Sequence, residues 1–170
     1  MRLMTLSGLA LSSILLVSAC GFSPLYGKRS GGSVASLNTI QVGIIEDRMG
    51  QMLRNELVTK LNGGVSPKNA AYHLDVKVQQ SENKYGADAD SFRTRANLIV
   101  KATYRLIDRE EQETVLNGAA ESISSYDILT NKFATRIASQ EAQRLAAVAL
   151  SDDIRARLAI FMDQKTKGRP

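Results

Sequence analysis

Between Arg93 and Ile107 apolar and polar side chains alternate with a period of two for longer than anywhere else in the chain. Ala96, Leu98, Val100, Ala102, Tyr104 and Leu106 share one phase, while Arg93, Arg95, Asn97, Lys101, Thr103 and Arg105, with Ile99, share the other. Side chains on a strand point alternately to its two faces, so this pattern predicts a strand with one buried and one solvated face. A one-residue slip would put every apolar group in water, which ties down the register of whatever pairs with it. Such a strand cannot stand alone. It requires neighbours on both edges and a layer of apolar side chains above its buried face.

The flanking sequence supplies both. Tyr72, Leu74, Val76 and Val78 alternate with His73, Asp75, Lys77 and Gln79, giving an earlier strand, and Val115, Leu116 and Ile123 mark a weaker one over 113–124. The polar run 108–112 joins the last two as a hairpin, and Gly86, Asn83 and the aspartates of 81–91 predict a mobile loop. Upstream, Ile40, Val42 and Ile44 predict a first strand within 39–45, and Asp47 is placed to cap a helix whose face is Met49, Met52, Leu53, Leu57 and Leu61. Both methionines fit that core face. Asn62-Gly63-Gly64 stops the helix. After a connection over 126–131, Phe133, Ile137, Leu145, Val148, Ile154, Leu158 and Phe161 predict a long final helix over 133–162. The apolar face shifts near Ser151-Asp152-Asp153, where the aspartates could cap a second start, but one long helix is the expectation. The order βαβββα predicts an α+β fold with two helices packed on one face of a four-stranded, mainly antiparallel sheet.

The amino-terminal stretch is of another kind. Arg2 precedes an apolar run broken by Thr5, Ser7, Gly8, Ser12 and Ser13, about 15 residues against the roughly 20 a membrane span requires. This reads as an export signal over residues 1–19. It ends in Val17-Ser18-Ala19-Cys20, which resembles the aliphatic, small, small, cysteine pattern of bacterial lipoprotein precursors. Cys20 is the only cysteine and cannot form an internal disulfide, so it is the expected lipidation site. Several acyl chains there would give a stable anchor where one would not. Gly21 in place of Asp favours the outer membrane. Residues 20–36, with Gly and Ser frequent from Lys28 onward, predict a flexible tether, 37–163 the folded domain, and 164–170 a basic disordered tail.

Cys20-Gly21-Phe22-Ser23-Pro24-Leu25-Tyr26-Gly27 resembles the start of mature lipopolysaccharide-assembly lipoproteins of the LptE family, the alphaproteobacterial type in particular. The order of elements resembles that family too. The resemblance implies a non-enzymatic outer-membrane lipoprotein, held on the periplasmic side by its acyl chains. Its partners would be an LptD-type β-barrel and lipopolysaccharide.

Composition limits the alternatives. The chain has no Trp and 5% aromatic residues, poor material for stacking nucleic acid. Without the signal, 21 basic residues face 17 acidic ones, a charge of +4 that favours anionic partners. A single His and a single Cys build neither the usual triads nor a zinc site, and no cofactor is expected. The basic strand face is the one constellation with chemistry. Arg93, Arg95, Lys101 and Arg105 share it, Lys77 lies on the neighbouring strand, and Arg can hold a phosphate through two parallel hydrogen bonds. A solvated strand face explains the same charges. By resemblance, Arg93 or Arg95 and Lys132, at the start of the last helix, correspond to lipopolysaccharide-binding positions of the family. The competing function class is an unrelated envelope scaffold or peptidoglycan-binding lipoprotein.

Overall fold

The computed structural model describes residues 36–86 and 94–168. Cys20, its signal and tether, the centre of the expected loop, and Arg93 lie outside the described residues. Six elements follow in order: β1 (Ile40–Val42), α1 (Asp47–Asn62), β2 (Tyr72–Gly86), β3 (Thr94–Asp108), β4 (Thr114–Ile128) and α2 (Lys132–Thr166). The sheet order is β1-β2-β3-β4. β1 pairs with β2 in parallel, which requires a crossover, and α1 supplies it; the other two pairings are antiparallel. The fold is the expected one, two helices with a four-stranded, mainly antiparallel sheet in the order βαβββα.

The alternation in β3 holds residue for residue. Ala96, Leu98, Val100, Ala102, Tyr104 and Leu106 are all buried, and the opposite phase faces outward. Ile40, Val42, Leu74 and Val76 extend the apolar layer across β1 and β2, and both helices close over it. From α1 come Met49, Leu53, Leu57 and Leu61, with Met52 half-buried; Gly63, at φ 65°, ends that helix in the left-handed region. Beneath α2 the ring of Tyr104 lies across Gly118 on β4. A Cβ built on Gly118 would come 2.5 Å from the Tyr104 hydroxyl, so the sheet needs a residue without a side chain there. Burial pushes the Tyr104 hydroxyl above its ordinary pKa, with Asp153 adding to the rise, while Arg157 opposes it.

The elements differ from expectation mostly at their ends. β1 stops at Val42 because the Gly43 N–H makes the last bond to β2, to Leu74 O at 2.9 Å; Ile44, expected as its third apolar residue, is 88% exposed. β2 and β4 are longer than their composition indicates. Residues 81–86 continue the ladder with β3 as far as Gly86↔Thr94, and β4 runs on to Ile128↔Thr94. The described side chains of 81–85 are exposed, so backbone pairing rather than burial sustains that end. Asp47 is not the cap of α1. It is the first helical residue, at φ 65°, and the Glu46 before it makes no side-chain cap bond. His73, expected on a solvated face, is half-buried and its Nδ1 has no hydrogen-bond partner among the described residues.

The last helix departs furthest. It is continuous through Ser151-Asp152-Asp153 and extends to Thr166, into the stretch expected as a tail. The aspartates are not caps. Asp152 pairs with Lys60 of α1 at 2.7 Å and Asp153 with Arg157 one turn on. Lys60 also donates to Ser151 Oγ at 2.8 Å, and the fully buried Ser151 hydroxyl donates in turn to Val148 O, so the helix crossing is closed by a small polar cluster. The buried residues of α2 follow steps of four along Ala142, Ala146, Leu150, Ile154, Leu158 and Met162. Lys132 to Glu141 contributes no buried residue. Phe133, Ile137 and Leu145, expected in the core, are 66%, 49% and 48% exposed.

Asp108 organises the β3–β4 turn. Its carboxylate accepts from the Glu110 and Glu111 amides and lies 3.5 Å from Lys165 Nζ, contacts that hold its pKa below the ordinary Asp value. A depressed carboxylate stabilises above its unfolded pKa of about 4 and loses that contribution as pH falls through the lowered folded value. Acidification below about pH 4 is therefore expected to loosen this turn, read as movement of the Glu110 and Glu111 amide resonances in step with Asp108 protonation. In Asp108→Asn that titration step should vanish.

Candidate anion-binding surfaces

The basic residues fall on two surfaces that the sheet separates. On the open face, each described base of β3 meets an acid on a neighbouring strand: Arg95 and Asp127 at 3.6 Å, Lys101 and Glu121 at 3.1 Å, Arg105 and Asp75 at 2.6 Å. The register produces these pairs directly, since Arg95↔Asp127, Lys101↔Glu121 and Asp75↔Arg105 stand opposite each other. All three are exposed and contribute at most about 1 kcal/mol each. A strand that reads as a basic stripe is thus a ladder of alternating sign. Between the charges lie Ile99 and Ile123, cross-strand neighbours, with Ile123 59% exposed. A shallow hollow of about 500 Å³ on this face is lined by Asp75, Lys77, Thr103, Arg105 and Ala119.

Lys132 lies elsewhere. It is the first residue of α2 and lines a groove of about 700 Å³ between the starts of the two helices and the helix-facing side of the sheet. Asp47, Arg48 and Met49 of α1 form one wall, Lys132, Thr135, Arg136, Ser139, Gln140 and Gln143 of α2 the other, and Gln80 and Tyr126 the floor. Asn131 sets the start of α2, its side-chain oxygen accepting from the Phe133 and Ala134 amides at 2.9 and 3.3 Å. The Tyr126 hydroxyl donates to Glu82 at 2.6 Å, which lowers the Glu82 pKa; burial, with Glu82, raises that of Tyr126. Arg48, Lys132 and Arg136 make no ion pair among the described residues.

Of the basic positions the sequence pointed to, then, Arg95 and Lys101 share the open face in ion pairs, and Lys132 stands apart from them in the groove. Arg48 and Arg136 were not anticipated. A signal was available, because the first turn of α2 carries no acidic residue while Lys132 and Arg136 follow one another at a spacing of four. Cations at a helix start oppose the helix dipole, at a cost of about 0.3–1 kcal/mol, so their presence breaks a local rule. Among the described residues no group of three His, Cys, Asp or Glu side chains is arranged to hold a metal ion, and no helix is long and apolar enough to cross a membrane.

The fold is that of a small α+β protein, and bacterial lipoproteins of known structure share it. A crystal structure of a candidate lipoprotein from Caulobacter crescentus CB15 superposes with a TM-score of 0.64 at 25% identity, covering 79% of this chain and 98% of that one. A minor lipoprotein from Acinetobacter baumannii shares the fold at a TM-score of 0.51 and 16% identity, over 71% of this chain and 91% of its own. No curated protein matches the chain. The family model for LptE, described as lipopolysaccharide-assembly, matches residues 37–159, and the chain belongs to that family. The match spans the domain from three residues before β1 deep into α2, which places the protein in lipopolysaccharide assembly at a general level.

Proposed function

We propose that this chain is a non-enzymatic outer-membrane lipoprotein, acylated at Cys20 and facing the periplasm. It forms a complex with a large LptD-type β-barrel and takes part in moving lipopolysaccharide to the outer leaflet. The observation that carries this reading is the family match over 37–159. The signal-like segment ending in Val17-Ser18-Ala19-Cys20 supports the anchor. Of Arg93, Arg95, Lys101 and Lys132, which we propose meet lipid phosphates, Lys132 has no ion pair among the described residues, whereas Arg95 and Lys101 would have to leave Asp127 and Glu121. Arg93 remains a candidate on sequence alone.

Affinity purification of the full chain from outer membranes tests the reading. Co-purification of a large β-barrel is expected; retention on isolated peptidoglycan sacculi without a barrel would replace it with the scaffold reading. Fatty-acid labelling tests the anchor separately. Label should be lost in Cys20→Ala, and label retained there would end the lipoprotein assignment.

A further inference from the structure

We infer that the free edge of β2 beyond β1 is a self-association surface. On it a second copy of this chain lays its own β2 antiparallel, about a two-fold axis at Gln80, and the two four-stranded sheets become one sheet of eight strands. This surface is independent of the proposed function.

β1 covers only the first three residues of β2, Tyr72 to Leu74. The Tyr72 N–H donates to Thr39 O, and Leu74 O accepts from the Gly43 N–H, so alternate residues of β2 turn their backbone groups to this side. Val76, Val78, Gln80, Glu82 and Lys84 continue that phase, and among the described residues no strand pairs with them there. The stretch 76–84 gives an edge about 30 Å long. It contains no proline, and its ladder with β3 has no bulge. Prolines and bulges are common means by which an edge refuses another strand.

The chain itself is held out of the slot beside this edge. Gly43 O accepts from Arg54 Nε at 3.0 Å, and Ile45 is buried against Gly50, where an added Cβ would come 2.5 Å from Ile45 Cγ2. Ile44, between these two anchors, is left 88% exposed. With Ile45, Glu46 and Asp47 it walls a hollow of about 440 Å³ along residues 75–79 of β2.

Charge selects the occupant. Glu46 and Asp47 make no ion pair among the described residues. With the axis at Gln80, Lys84 of one copy stands opposite Val76 of the other, on the helix side of the sheet where Glu46 and Asp47 wall the hollow. The 3.3 Å contact of Lys84 with Glu82 on its own strand is exposed and weak. Lys77 meets Asn83 and Val78 meets Glu82, so no like charges oppose each other. Two-fold symmetry makes every one of these contacts twice. β4, the opposite edge of the sheet, carries Glu121 and Asp127 and no base, so two copies of it lack such a complement.

The test is sedimentation velocity of the full chain in a non-ionic detergent over a hundredfold range of concentration, where a reversible monomer–dimer equilibrium is expected. Gln80→Pro removes an N–H that faces the free edge rather than β3, so it should keep the fold and abolish the dimer. Ala119→Pro, on the free side of β4, should leave the dimer unchanged. Glu46→Lys and Lys84→Glu should each weaken dimerisation about tenfold, and the two changes together should restore it. In a Cys20→Ala background, which removes the one native thiol, Gln80→Cys should give a disulfide-linked dimer with diamide as oxidant, and Ala119→Cys should not. If circular dichroism shows that Gln80→Pro does not fold, the charge swap carries the comparison. A monomer at every concentration would overturn the inference, as would a dimer that survives both Gln80→Pro and the charge reversals. A monomer whose Gln80→Pro variant loses a different protein in affinity purification would give the edge to that protein and overturn the dimer. Barrel capture, read separately, bears only on the proposed function.

Discussion

Leu98→Asp is expected to leave the domain unfolded at 25 °C, while Lys101→Asp, three residues on and in the opposite phase, folds. Leu98 is 4% exposed, in the middle of β3 beneath the helices. An unpaired carboxylate there either stays charged in an apolar layer or takes up a proton, and either outcome costs several kcal/mol on top of the lost packing. A domain of this size has a margin of about 5–15 kcal/mol, so the loss removes much or all of it. Lys101 lies on the open face against Glu121. Reversing its charge puts two carboxylates opposite each other at a cost of at most about 1 kcal/mol. Far-ultraviolet circular dichroism through a urea titration separates the two, and equal damage from both would refute the one-sided burial of β3.

The second large effect lies in α2. Ile154→Ala is expected to destabilise the domain by about 2–5 kcal/mol, because Ile154 is fully buried where α2 crosses the sheet and its removal leaves a cavity. Phe133→Ala deletes a larger side chain yet is expected to cost less than about 1 kcal/mol, since that ring is mostly in solvent. Urea midpoints of the two variants give the comparison directly. The reverse ranking would mean that the first turns of α2 are packed on the domain rather than free to meet a ligand.

These two predictions differ in what they owe to the sequence. The phase of β3 is readable from the chain because the period of a strand is two, and a pattern sustained from Ala96 to Leu106 admits one inside and one outside. The same holds for α1, where Met49, Leu53, Leu57 and Leu61 recur at helical spacing, and for Gly63, whose left-handed φ ends the helix. The order of elements then restricts the architecture to helices over a sheet.

Ends and partners were not readable in that way. The polar stretch 81–86 belongs to a strand because β3 offers it backbone partners, and composition carries no record of a ladder formed with residues a dozen positions away. Phe133 and Ile137 have the spacing of a core face, but whether a helix face is covered depends on what packs against it, and these two side chains are left largely exposed. The open face illustrates the same limit for charge. Arg95, Lys101 and Arg105 form a basic stripe along one strand, and register alone decided that Asp127, Glu121 and Asp75 would neutralise it. Conversely, Arg48 and Arg136 lie 88 positions apart in the chain, and the groove that unites them with Lys132 exists only because both helices start at the same end of the sheet. Local periodicity therefore determined which side of β3 and of α1 is buried. The meeting of charges, paired on one surface and left unpaired on the other, was decided by tertiary structure, because electrostatic interaction depends on distance in space rather than along the chain.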